Sequence, residues 1–139
     1  MRVRDVMSER PFTIPEESSV EYAAGMMRDC RIGFIPVGEK ENIVGIITDR
    51  DITTRVTAEA KDPKHTPVRD VMTHTAAYCF EDQDIEDACF MMEDKHIRRL
   101  LVFDRAHSLV GILSLDDVAV RARKDKLAGY ALSKVAKTA

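Results

Sequence analysis

Tryptophan is absent, the aromatic residues are three Tyr and five Phe, and the 139 residues include only six Gly, five Pro and three Cys. So little Gly and Pro excludes collagen-like and low-complexity chains. No apolar run approaches the roughly 18–20 residues that a membrane-spanning helix requires, so no membrane partner is expected. The opening MRVRDVMSERPF lacks an apolar core followed by a small-residue cleavage site, which makes the cytoplasm the expected compartment. Cys30, Cys79 and Cys89 are odd in number and form no CxxC pair. They fit neither a disulfide framework nor a zinc site and are expected as small buried hydrophobes. His65, His74, His96 and His107 share no ligand spacing, so no metal site is expected. Catalytic signatures are missing as well: GxSxG, HExxH, GxxxxGKS/T and GxGxxG do not occur, and no catalytic residue is assigned. Finally, there is no excess of positive charge. The 21 basic residues stand against 24 acidic ones for a net −3, which argues against a general nucleic-acid binder.

What the chain does contain is a repeat. VRDVM occurs at Val3–Met7 and again, unchanged, at Val68–Met72. Sliding the chain on itself by about 65 residues extends the match to roughly 18 identities across about 54 positions. Met26-Met27 falls on Met91-Met92, Asp29 on Asp94, Val44-Gly45-Ile46 on Val110-Gly111-Ile112, Asp51 on Asp117 and Arg55 on Arg121. The expected organisation is a first repeat over 1–56, a linker over 57–67, a second repeat over 68–122 and a helical tail over 123–139.

Each half carries the same order of elements. Val20, Ala23, Ala24 and Met27 mark one helical stripe, repeated as Ile85, Ala88, Cys89 and Met92. Ser18 with Glu21 reads as the capping box that opens the first of these helices. Short aliphatic runs follow, FIPV and NIVGII in one half, LLVF and LVGIL in the other, and their length and composition favour strands. Extended pieces are expected at Phe12–Ile14 and Ala77–Phe80, and a further helix from Thr48 or Ser114. The order per half is β-α-β-β-α, an α/β fold. One small sheet with helices on a single face is marginal alone, so the two halves are expected to pack sheet to sheet with pseudo-twofold symmetry.

The strand-to-helix junctions GIITDRDI and GILSLDDV place a hydroxyl three residues before a carboxylate, Thr48 with Asp51 and Ser114 with Asp117. Ser/Thr-x-x-Asp is first of all a helix-capping pattern. The same pair also suits a nucleotide, with the helix start and hydroxyl on a phosphate and the carboxylate on a ribose diol.

The tandem units, each with VxDVM, a helix bearing Met-Met, and hGhhT/SxxD, resemble paired CBS domains, a Bateman module of the small stand-alone kind. The resemblance runs from Val3 to Ala122. It implies a regulatory, signal-sensing module without catalytic activity and with no required cofactor. The implied ligand is AMP, ATP, S-adenosylmethionine or another adenosyl compound. Carried over by position, the first site comprises Thr48 and Asp51, with Ile14, Ile32, Gly33, Phe34 and Pro36 about the adenine. The second comprises Ser114 and Asp117 with Cys79, Ile97 and Arg98, and with Arg98 or Arg99 able to grip a phosphate. Departures from the pattern at Leu101, Leu115 and Arg98 set the second site apart. The resemblance also implies a homodimer, towards which Met26 and Met91 would face, and a downstream protein. The stretch 121–139, which contains the tail, holds six basic residues against Asp125. The tail is expected as a solvated helix packing through Leu127, Tyr130, Ala131 and Val135 on the module or its dimer mate, and contact with nucleic acid through it is the lesser alternative.

Overall fold

The computed structural model describes residues 1–74 and 76–137; position 75 of the expected second repeat and positions 138 and 139 of the expected tail lie outside the described residues. In chain order the regular elements are β1 (Ser8–Glu9), α1 (Val20–Cys30), β2 (Phe34–Glu39), β3 (Asn42–Thr48), α2 (Asp49–Ile52), β4 (Tyr78–Phe80), α3 (Ile85–Lys95), β5 (Arg99–Phe103), β6 (Leu109–Ser114), α4 (Leu115–Val120) and α5 (Asp125–Ala136). Among the described residues no helix is long and apolar enough to cross a membrane.

The chain divides into two compact units, and they do not follow the repeat boundaries. One is Phe12–Ala76; the other is Met1–Pro11 together with Ala77–Ala139. Each VRDVM segment is therefore built into the unit formed by the other repeat's helix and strands. Val68 N donates to Ser18 O and Arg69 N to Glu16 O, while Val3 N donates to Gln83 O and Arg4 N to Glu81 O. The two VRD stretches adopt the same 3₁₀ turn. Identical residues meet equivalent turns, so the same local conformation forms twice.

In the unit Phe12–Ala76, β2 and β3 pair antiparallel with Phe34 opposite Thr48, and the register shifts after Val37. Isolated bridges extend the pair on either side, Ile14 to Val37 and Ile46 to Thr73. The α1 stripe Val20, Ala23 and Met27 packs with Ile35, Val37, Ile47 and Val56. Its N-cap is Ser19, whose hydroxyl accepts from Tyr22 N at 3.1 Å. The Ser18 capping box is thereby corrected: the chain is already extended at Ser19, which makes it the last residue before helical dihedrals begin. Beyond α2 the helix continues as a π turn over Thr53–Thr57. The segment expected as a linker is tied down, with Thr66 O accepting from Val20 N and Pro63 O from Glu21 N.

In the other unit four strands run in the order β1-β6-β5-β4, with β4 parallel to β5. Leu101 N donates to Ala77 O at the start of that parallel pairing. The equivalent position in the first unit is Pro36, which has no N–H to give. The first unit accordingly keeps a single bridge at Ile14 where the second has a three-residue strand. Cys79, Cys89, Met92, Leu100, Val102 and Leu113 form the centre of this core. Burying each Leu or Met side chain contributes about 1.5–3 kcal/mol.

One local expectation fails at a helix end. Cys30 is exposed, not buried: it is the last residue of α1, and Arg31 then takes the left-handed conformation that turns the chain away. In α5, Ala128, Ala131 and Val135 pack on the core with Leu127 beside them, and Tyr130 is 57% exposed in the single chain. Met26 and Met91 are partly buried against the core of their own unit.

Candidate functional site

The two strand-to-helix junctions have the same geometry. In the first unit, Gly33, immediately before β2, accepts from Asp49 N through its carbonyl at 3.1 Å, which draws the α2 start to the β2 start. In the second, Arg98 O accepts from Leu115 N at 3.1 Å in the same way. Gly33 lies close under Asp49, since a Cβ there would stand 2.7 Å from Asp49 Oδ2. Phe34 and Arg99 occupy equivalent places opposite Thr48 and Ser114.

The hydroxyl and carboxylate of each junction form a complete capping box. Thr48 Oγ1 accepts from Asp51 N and Asp51 Oδ2 accepts from Thr48 N, both at 3.1 Å. Ser114 Oγ accepts from Asp117 N at 3.1 Å, and Asp117 Oδ2 accepts from Ser114 N and its hydroxyl at 2.9 Å. Asp51 is 7% exposed and receives the Thr73 hydroxyl at 3.3 Å. Beyond the box each carboxylate faces an arginine one helical turn on, Arg55 at 3.6 Å and Arg121 at 3.7 Å. These guanidinium groups also donate to the exchanged segments, Arg55 to Val71 O and Met72 O, Arg121 to Met7 O at 2.9 Å. An ionised carboxylate accepts about four hydrogen bonds, so capping leaves acceptor capacity on both groups.

The remaining expected residues divide between wall and core. Ile14 and Cys79 are fully buried in the two clusters, and burial pushes the Cys79 thiol up to about 12. Ile14 N is bonded to Pro36 O, which fixes this piece beside β2. Ile32 and Ile97 are partly buried against the same clusters. Arg98, Arg99 and Ser114 come together on a cleft of about 350 Å³ in the second unit, and Asp117, Cys79 and Ile97 are not part of its lining. Sequence reading missed Asp116 and the α5 residues Asp125 and Gly129, which complete this cleft. One signal was available: a glycine inside the helical pattern LAGYALSKV weakens the helix and asks for a reason.

Comparison with known proteins adds the family. The CBS domain family matches residues 3–58 and again residues 68–123. The chain is 36% identical over 133 residues to the CBS domain-containing protein YhcV of Bacillus subtilis, covering 96% of this chain and 94% of that one. Among solved structures it is similar to the CBS domain pair of protein MJ0100, which was crystallised with 5'-methylthioadenosine and S-adenosyl-L-methionine. That match has 27% identity and a TM-score of 0.75 and covers 86% of this chain and 97% of that one. It is also similar to Hypoxic Response Protein I, which was solved with two coordinated zinc ions, at 29% identity and a TM-score of 0.76, covering 86% and 97%. Among the described residues of this chain no group of three His, Cys, Asp or Glu side chains is placed to hold a metal ion. The tandem match, the mixed α/β architecture and the paired junctions make this chain a member of the CBS domain family, carrying two CBS repeats.

Proposed function

We propose that the chain is a regulatory, non-catalytic module that binds an adenine nucleotide or another adenosyl compound and passes occupancy on to a partner. Thr48 and Asp51 serve the first site, lined by Ile32, Gly33, Phe34 and the backbone of Ile14 and Pro36. Ser114 and Asp117 serve the second, with Arg98 and Arg99, beside Ile97 and Cys79. The carboxylates accept from the ribose diol, the hydroxyls and arginines meet the phosphate or equivalent end, and the protein acts in the cytoplasm as a homodimer. The observation that carries this reading is the second-unit cleft, which is lined by Ser114, Arg98 and Arg99 at a junction whose geometry the first unit repeats. The similarity to a CBS pair solved with adenosyl ligands supports the same chemistry. A capping-only, structural role is the competing reading, favoured by the completeness of both capping boxes.

A thermal-shift panel of AMP, ATP, S-adenosylmethionine and NADH separates the two. Ligand at about 100 times its dissociation constant adds roughly 2.7 kcal/mol of stability, on the order of 5–15 °C for a domain of this size. The ligand-induced shift is compared within each variant, because Asp51→Ala and Asp117→Ala also remove a cap. If no ligand shifts the wild type, the capping-only role stands; if both variants respond fully, the diol assignment is wrong.

A further inference from the structure

The cleft beside Ser114 has a wall supplied by α5, an element that follows the second repeat only. Asp125, Gly129 and Leu132 fall on one stripe of that helix and line the cleft. Ala128, Ala131 and Val135 are buried in the core, so the helix is seated by its own apolar face and the wall is a fixed feature. At Gly129 an added Cβ would meet nothing within 4 Å. Packing therefore does not require glycine there, although glycine weakens a helix interior; its visible effect is a gap in the wall.

The charges around the cleft are balanced. Arg98 and Arg99 stand against Asp116 and Asp125. A polyphosphate would bring several negative charges beside two carboxylates. A ligand end carrying one carboxylate and one ammonium group finds an opposite charge for each.

We infer that α5 is the selectivity wall of this cleft: Gly129 makes the room and Asp125 supplies the charge that favours an adenosyl compound with a zwitterionic, amino-acid end over a nucleoside polyphosphate. The inference rests on the cleft being the second adenosyl site. Isothermal titration of the full chain tests it, in an Asp51→Asn background that removes the proposed diol acceptor of the first unit, with S-adenosylmethionine, S-adenosylhomocysteine and ATP as probes. Both amino-acid-bearing compounds should bind more tightly than ATP. Gly129→Leu should weaken them by about tenfold or more, the scale on which a pocket resolves a single misfitting methylene. Asp125→Asn, an exposed and conservative change, should erase the preference over ATP. Tighter binding of ATP overturns the inference. So does a preference that neither variant alters; if Asp117→Asn still abolishes binding in that case, the adenosyl reading survives alone. Failure of all three probes to bind the wild-type chain defeats both.

Discussion

Replacing Gly111 by alanine tests the exchanged architecture directly. Gly111 lies in β6 opposite Glu9, with Ser8 opposite Ile112. A Cβ at Gly111 would stand 2.5 Å from Met7 Sδ and 2.8 Å from Ser8 O. The methionine can swing aside, but the Ser8 carbonyl belongs to the backbone of a paired strand and cannot without loss of pairing. Overpacking of this kind costs about 1–3 kcal/mol. The lower freedom of alanine in the unfolded chain returns about 0.4–1 kcal/mol. The net is a destabilisation of about 1–2 kcal/mol, which lowers Tm by about 3–10 °C in a chain of this length. Urea denaturation followed by circular dichroism measures it, with an unchanged denaturant slope as the sign that the unfolded state is the same. Gly129→Ala is the matched control, since its Cβ meets open space and the helix gains up to about 1 kcal/mol. The same chemical change thus has opposite signs at two glycines. A Gly111→Ala protein as stable as wild type would refute the placement of residues 7 and 8 over β6.

Two further outcomes follow from the same packing. Arg121→Ala removes the bonds to Met7 O and Val6 O and the pairing with Asp117; with a half-exposed side chain the expected loss is about 1–2 kcal/mol by denaturation, and Arg121→Lys should restore only part of it because lysine lacks the fork. For the cysteines, burial pushes Cys79 up to about 12 and Cys89 up to about 11, whereas Cys30 is exposed. A thiol reagent at mildly alkaline pH should modify one cysteine in the native chain and three after unfolding. Because the buried thiols resist ionisation only when folded, their contribution to stability is complete below the unfolded value near 9 and declines as pH rises toward 11–12; rapid labelling of three thiols in the native state, or a flat alkaline stability curve, would contradict this.

Much of the architecture was legible before any coordinates. The duplication, the helical stripes Val20 to Met27 and Ile85 to Met92, the four central strands and the two capped junctions are all local or periodic properties, and hydrophobic spacing reports them. The family resemblance was equally readable, because it rests on the same motifs repeated in register. At the junctions, the sequence read Thr48 with Asp51 and Ser114 with Asp117 first of all as capping pairs, and both boxes form.

Tertiary structure alone decided which half each VRDVM segment completes. Two identical segments give sequence comparison no basis for choosing a partner. The choice is made by hydrogen bonds such as Arg121 to Met7 O, between residues 114 apart in the chain, whose cost in chain entropy is repaid only when the whole unit assembles. The same holds for the cleft. Arg99, Ser114 and Gly129 sit on three different elements, and no spacing along the chain announces that α5 will be seated by its alanine face with its glycine turned to the opening.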